Sequence, residues 1–211
     1  GSPPLPADGP GSLGLASNHP PPLTMAASSP SLRLCRRALP LAVALGLSLA
    51  GGAQAMEIGG STVFVKAPWK VDLVSYYTTV GQPQPEYYVT LELDPDAGAS
   101  LGGFTFRQIR GADWQFPFSP QRTRAFLGRP RREGPSVPVQ GLWNPDSRTM
   151  TVTFPQPVPP GSTITTVLIP WTNPMQSDTY LFQVEAFPAG PNPVGSPVGV
   201  GTLRIYQNTY W

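Results

Sequence analysis

Short runs of β-branched and aromatic residues, separated by prolines and glycines, recur from residue 61 to the end of the chain. The clearest run, 86–93, alternates between an apolar set and a mostly polar set. The apolar positions are Tyr87, Val89, Leu91 and Leu93, and the intervening positions are Tyr88, Thr90 and Glu92. Because successive side chains of a strand point to opposite faces of a sheet, this alternation predicts a half-buried strand.

The run 103–110 shows a similar alternation with one slip. Phe104, Phe106 and Ile109 form its apolar face, but Ile109 is out of step with the other two. The slip predicts a β-bulge, in which one extra residue enters the strand. The same residue preferences predict further strands at 61–66, 149–154, 162–169, 179–187 and 198–206.

Prolines oppose any helical interpretation of most of the chain. Residues 56–211 contain twenty of them, and each proline inside a helix costs about 3 kcal/mol or more. Connectors such as 94–98, 143–146 and 157–161 carry residues that turns require. Short strands that follow one another about every ten residues, with such turns between them, are typical of a sandwich or barrel. We predict an all-β fold, a single immunoglobulin-like antiparallel β-sandwich of seven to nine short strands.

Two segments are harder to assign. The aromatic and apolar residues of 69–80 fit either a helical face or a strand, and we favour the strand because β-branched and aromatic side chains prefer it. The segment 111–141 has the least regular pattern. We expect a long, partly ordered excursion there, at one end of the fold.

The first 55 residues divide into two parts. Residues 1–24 are mostly proline, glycine and serine, which predicts a disordered leader, with the alternative that it is not native to the protein. Residues 25–55 combine arginines, the apolar run 38–50 and Ala53-Gln54-Ala55, which is typical of a cleaved signal peptide. The run is too short to remain as a transmembrane helix. We therefore expect an exported domain at 56–211, without a transmembrane segment, in the periplasm, cell envelope or extracellular space.

Composition excludes several function classes. Cys35 and His19, the only cysteine and histidine, both precede residue 56, so the expected domain cannot form a Ser-His-Asp triad, a zinc site with Cys or His ligands, or a disulfide. Its eleven basic and eleven acidic residues leave no positive surplus for binding nucleic acid. We expect no cofactor and no enzymatic activity.

Arginines and aromatic residues supply the candidate binding site. Seven of the domain's nine arginines lie between residues 107 and 132, interleaved with aromatic residues, and tyrosine pairs occur at 76–77 and 87–88. Such side chains can bind carboxylate or phosphate groups and stack on sugar rings. The predicted ligand-binding residues are Arg107, Arg110, Trp114, Arg122, Arg124, Tyr77 and Tyr88. The alternatives are a solvated loop whose arginines pair with Asp113 and Glu133, and tyrosines that only cover the sheet.

Asp94 and Asp96 are the only weak candidates for a metal site. Together with Glu92 they place carboxylates close in sequence, as a calcium site or a carboxylate hydrolase would need. The run Asp94-Pro95-Asp96-Ala97-Gly98 is more typical of a tight turn, since Asp, Pro and Gly favour a chain reversal. We therefore predict a turn and no metal.

Several segments in order resemble one protein family. They are Tyr87–Leu93 with Asp96–Gly98, Arg124–Gly128, Val152–Phe154 with Pro157–Gly161, Tyr180–Gly190, and Gly199–Leu203. This set is similar to the secreted cyanobacterial proteins catalogued as domain of unknown function 2808. The resemblance implies a cyanobacterial source, export and a single compact domain, and it implies no catalytic residues.

These observations favour an exported, non-enzymatic module that binds a surface component such as an acidic polysaccharide. The alternative is a structural or assembly protein in which an open sheet edge pairs with another envelope protein. A calcium-dependent or carboxylate hydrolase is the third hypothesis.

Overall fold

Two five-stranded antiparallel sheets face each other across one hydrophobic core. The computed structural model describes residues 56–114 and 117–207, so the expected leader and signal peptide lie outside the described residues. The first sheet has the order β3-β4-β10-β6-β7 and the second has the order β12-β11-β5-β9-β8, while β1 and β2 form a small separate hairpin. This architecture confirms the predicted all-β antiparallel sandwich.

The described strands outnumber the seven to nine that we predicted. In chain order they are β1 (Met56–Ile58), β2 (Ser61–Val63), β3 (Val71–Ser75), β4 (Tyr87–Glu92), β5 (Leu101–Arg110), β6 (Arg124–Arg129), β7 (Arg132–Val137), β8 (Gln140–Asn144), β9 (Thr149–Val158), β10 (Thr163–Leu168), β11 (Asp178–Pro188) and β12 (Ser196–Ile205). One turn of 3-10 helix, Pro120–Arg122, precedes β6. None of the helical segments in the described part of the chain has the length and apolar character needed to cross a bilayer.

Alternating strand residues build the core. Phe106 of β5 and Phe182 of β11 stack with ring centroids 4.4 Å apart, and both are fully buried. Tyr87 and Tyr180 are equally buried, and their hydroxyl groups donate hydrogen bonds to Asn173 Oδ1 and to the Gln176 carbonyl. The largest core side chains are therefore aromatic, and their polar ends are satisfied.

The predicted bulge in β5 is confirmed, but its consequence for Ile109 differs from the prediction. Arg110 lies opposite Leu181 and Gln108 lies opposite Phe182, so Ile109 is the extra residue. Gln108 is buried and donates a 2.7 Å hydrogen bond to the Asp113 carbonyl, whereas the Ile109 side chain is 41% exposed. Ile109 faces outward because the alternation that buries Phe104, Phe106 and Gln108 continues as far as this residue, and the bulge shifts the alternation only after it, where Arg110 is also exposed.

The two segments of uncertain pattern are both largely extended. Val71–Ser75 is strand, which confirms our preference for that part of 69–80. The expected excursion at 111–141 is wrong for its second half, which contains β6, β7 and the start of β8. β6 pairs with the central strand β10 and buries Ala125 and Phe126. Packing therefore orders this segment, although its arginines and prolines are typical of a loop.

Candidate ligand-binding site

Residues from four chain segments meet at one end of the first sheet. Because neighbouring strands are antiparallel, the end of β3, the start of β4, the end of β10 and the start of β6 lie at the same edge. There they line an open concavity of about 450 Å³, which we call the end concavity. Its lining residues are Tyr77, Gln82, Pro83, Gln84, Glu86, Arg122 and Ile169.

A buried asparagine fixes one wall of the end concavity. The side-chain amide of Asn173 donates 2.8 Å hydrogen bonds to the carbonyls of Tyr77 and Thr79, and its oxygen accepts one from Tyr87. The Asn173 backbone N–H donates to the Gln82 carbonyl at 2.8 Å. The loop that carries Tyr77 and Gln82 is therefore anchored to the core, while the Tyr77 side chain remains 53% exposed.

Gln84 lies in this loop and has an unfavourable backbone conformation. Its φ of 47° is in the left-handed region, and its N–H donates a 2.9 Å hydrogen bond to the Trp171 carbonyl. A residue other than glycine adopts this conformation at a cost of about 1–2 kcal/mol. Such strain concentrates at ligand-binding sites, and here it places a side-chain amide on the surface of the concavity.

Glu86 is held in place by two donors. The hydroxyl of Tyr88 donates to Glu86 Oε2, and Arg124 Nη2 donates to Glu86 Oε1 at 3.2 Å. Arg124 also pairs with Glu133 at 3.4 Å, so its charge is neutralised. Burial and the bond to Glu86 raise the pKa of Tyr88 to about 12, so the phenol stays protonated and keeps donating. Glu86 therefore presents a fixed acceptor to the concavity.

Arg122 provides the cation of the site. It ends the 3-10 helix, its side chain is exposed, and it makes no ion pair within residues 56–114 and 117–207. An exposed guanidinium can bind a carboxylate through two parallel hydrogen bonds.

The structure brings four of the seven predicted ligand-binding residues together around Glu86. Tyr77 and Arg122 line the concavity, whereas Tyr88 and Arg124 lie behind Glu86 and orient it. Tyr88 is buried, in a small cluster with Phe126, Val167 and Ile169 on the outer face of the first sheet.

The other three predicted residues lie in or after β5 of the second sheet. Arg107 donates a 2.6 Å hydrogen bond to Gln183, and Arg110 is exposed at the end of β5. The ring of Trp114 lies under the Arg148 guanidinium, 4.0 Å from it. The arginine-rich segment therefore does not form one cationic surface, because the strands that follow one another in sequence belong to different sheets.

Asp94 and Asp96 form the predicted turn. The Ala97 N–H donates to the Asp94 carbonyl, and the Asp96 N–H donates to Asp94 Oδ1. The Lys66 ammonium lies 2.8 Å from Asp96 and 3.6 Å from Asp94, and its hydrogen bond lowers the pKa of Asp96. No group of three or more potential metal ligands occurs among the described residues.

Sequence reasoning missed Glu86, Gln82, Gln84 and Asn173. Their signal was weak, because glutamine and asparagine in a proline-rich connector are ordinary turn residues. Glu86 directly precedes a tyrosine pair, but only the fold shows that Arg124, 38 positions later, lies beside it.

Comparison with known proteins supports the resemblance noted in the sequence. The family model described as Protein of unknown function (DUF2808) matches residues 61–205. A search of curated protein sequences finds no match to this chain.

Several solved structures are similar to this chain at low sequence identity. The bacterial hydrophobin BslA is 11% identical and aligns with 68% of this chain and 98% of its own at a TM-score of 0.40. The RrgA Jo.In complex is 12% identical and aligns with 71% of this chain and 89% of its own at a TM-score of 0.40. A Nocardia farcinica protein with an immunoglobulin-like fold is 15% identical and aligns with 64% of this chain and 96% of its own at a TM-score of 0.37. Similarity at this level carries no conclusion about function.

Proposed function

This chain belongs to the family described as Protein of unknown function (DUF2808), and we propose that it is an exported, non-catalytic β-sandwich module that binds an acidic polysaccharide. The end concavity is the binding site, and the cell envelope or the extracellular space is the location. The observation that carries the proposal is that Tyr77, Glu86 and Arg122 line one open concavity with two glutamine amides.

Each lining group has a part in binding a sugar. The exposed ring of Tyr77 offers an apolar face to the C–H groups of a pyranose. The amides of Gln82 and Gln84 and the carboxylate of Glu86 supply donors and acceptors for hydroxyl groups. Arg122 distinguishes an acidic sugar from a neutral one, because its guanidinium matches a carboxylate in geometry and charge.

The test is retention of the purified protein on acidic and neutral polysaccharides from cell-wall and capsular fractions. We expect retention on the acidic fraction that weakens with salt. Arg122→Gln should reduce affinity about tenfold or more, since a hydrogen bond to a charged group contributes about 1.5–3 kcal/mol. Arg110→Gln, an exposed arginine of the second sheet, serves as the matched control. No retention of the unsubstituted protein, or equal loss in both variants, would overturn the proposal.

Assembly with another envelope protein is the second candidate, and β8 favours it. This strand is the edge of the second sheet, and its Leu142 is 68% exposed. An exposed edge can add a strand from a partner. Crosslinking in intact envelopes that captures one abundant protein through β8, without carbohydrate, would support assembly over glycan binding.

A further inference from the structure

The adjacent residues Tyr76 and Tyr77 face two different concavities. Tyr77 lines the end concavity, and Tyr76 lines a second opening of about 520 Å³ along β3, which we call the side groove. The two α-carbons are about 3.8 Å apart. The side groove is lined by Val71, Asp72, Leu73, Val74, Tyr76, Thr90, Arg129, Pro130, Val200 and Thr202.

Direct contacts connect the two openings. The rings of Tyr76 and Tyr88 meet edge to face with centroids 5.5 Å apart, and the Tyr88 hydroxyl binds Glu86 of the end concavity. Ser75 of β3 lies opposite Tyr87 of β4, so Tyr76 and Glu86 are the residues just beyond that pair on the two strands. The Tyr88 side chain therefore contacts both Tyr76 of the side groove and Glu86 of the end concavity.

Each opening holds an exposed tyrosine with a nearby arginine. In the end concavity the arginine is Arg122. At the side groove, the guanidinium of Arg131 lies over the Tyr76 ring, 4.3 Å from its centroid. The arginine that lines the groove, Arg129, is neutralised by Asp72 and Glu92, whereas Arg131 follows the lining residue Pro130 and reaches the groove through its contact with the Tyr76 ring. Arg131, like Arg122, makes no ion pair in the described part of the chain. Each opening is thus lined by an exposed tyrosine, with Arg122 in the lining of the end concavity and Arg131 on the tyrosine ring at the side groove.

We infer that the end concavity and the side groove are two subsites for one polymer chain, so the ligand is an extended polysaccharide with repeating carboxylate groups. This inference rests on the proposed function and adds to it the length and charge spacing of the ligand. A monosaccharide or a chain end would need only the end concavity. A polymer with an acid on successive sugars can place one carboxylate near Arg122 and another near Arg131.

A purely structural role for Tyr76 makes a different prediction. Its ring packs on Tyr88 and under Arg131, so it contributes to the outer face of the sheet. If Tyr76 only covers the sheet, its substitution will change the free energy of unfolding and leave ligand binding unaffected. The Tyr76 side chain is nevertheless 42% exposed and lines the groove, so a subsite role makes its effect on binding depend on ligand length.

The experiment titrates the protein with a disaccharide and a hexasaccharide of galacturonic acid. We expect the hexasaccharide to bind about tenfold more tightly or better, because the second contact becomes intramolecular. Tyr76→Ala should remove this length advantage, whereas Tyr77→Ala should weaken the binding of both oligosaccharides. Trp69→Ala, an exposed aromatic outside both openings, is the matched control.

Arg131→Gln gives the same test with little risk to folding, since its side chain is exposed, and melting temperatures identify any unfolded variant. It should lower hexasaccharide affinity selectively. Equal affinity for the two lengths, or hexasaccharide binding unchanged in Tyr76→Ala and Arg131→Gln, would overturn the two-subsite inference and leave the end concavity as a site. Failure of both oligosaccharides to bind would overturn the proposed function and this inference with it.

Discussion

The hydroxyl of Tyr87 donates a 2.7 Å hydrogen bond to Asn173 Oδ1, and both residues are fully buried. Asn173 in turn donates to the Tyr77 and Thr79 carbonyls, so one side chain connects the aromatic core to the wall of the end concavity. The geometry of the candidate site is therefore a consequence of core packing, although its loop is on the surface.

Removal of the Asn173 side chain should destabilise the fold strongly. Asn173→Ala leaves the buried Tyr87 hydroxyl without its acceptor, which costs about 1–3 kcal/mol. It also removes one donor from each of the Tyr77 and Thr79 carbonyls, which keep Ser75 Oγ and the Gln82 N–H, and it leaves a cavity in the core. We expect a loss of about 3 kcal/mol or more in the free energy of unfolding, measured by urea denaturation. Tyr87→Phe removes one of these bonds and should cost about 1 kcal/mol. An Asn173→Ala variant no less stable than Tyr87→Phe would contradict this account.

Gly103 marks a position where the core permits no side chain. A β-carbon there would lie 2.1 Å from the Val152 carbonyl oxygen and 2.4 Å from the Phe187 ring. Since β5 and β9 are hydrogen-bonded at this point, the backbone cannot yield, and Gly103→Ala should cost about 3 kcal/mol or more. At Gly59, with open space and a φ of +60°, alanine should cost only about 1–2 kcal/mol. Thermal unfolding of both variants tests the contrast, which similar losses would refute.

Gln84 should show a trade-off between stability and binding. Gln84→Gly relieves the left-handed backbone strain but deletes an amide from the end concavity. We expect its stability to match or exceed that of the unsubstituted protein and its glycan affinity to fall. Gln82→Gly, without a positive φ to relieve, should lose about 1 kcal/mol. Denaturation and titration measure the two effects, and a destabilised Gln84→Gly would show that the conformation carries no strain.

Asp72 should contribute to acid sensitivity. Burial raises the pKa of this carboxyl, but hydrogen bonds from Arg129 and Lys70 outweigh that effect and hold it below its ordinary value. The unfolded chain therefore binds the proton first, at about pH 3.9. The stabilisation is present above that pH and is lost as the pH falls through the lower folded value.

Asp72→Asn should consequently weaken the dependence of the free energy of unfolding on pH below about pH 4. At neutral pH it should cost under about 1 kcal/mol, because the ion pair of Asp72 and Arg129 is near the surface. Asp146→Asn is the control, since Asp146 makes no ion pair in the parts of the chain that are described. Denaturation at a series of pH values is the measurement. Identical profiles for both variants would refute the role of Asp72.

Local pattern predicted the strands whose faces differ in polarity. Alternation identified β4 because one of its faces packs on the core, although Tyr88 and Thr90 on the other face are buried as well and the strand is not half-buried as predicted. The slip in β5 located its bulge, although Ile109 faces outward. β7 escaped prediction because it is an edge strand with almost every residue exposed, so burial imposes no alternation on it.

The candidate site depended on pairings between distant segments. Sequence alone indicated the arginines and tyrosines, but the register of β6 against β10 decides that Arg124 meets Glu86, and sheet order decides that Arg107 is elsewhere. Such long-range pairings leave no local signal.

The most direct test of the central claim is an NMR titration of the protein with the hexasaccharide of galacturonic acid, following the backbone amides. We predict the largest chemical-shift changes at Tyr77, Gln82, Gln84 and Arg122, where the end concavity meets the ligand. An unchanged spectrum, or changes confined to Arg107 and Arg110 on the second sheet, would contradict binding at the end concavity.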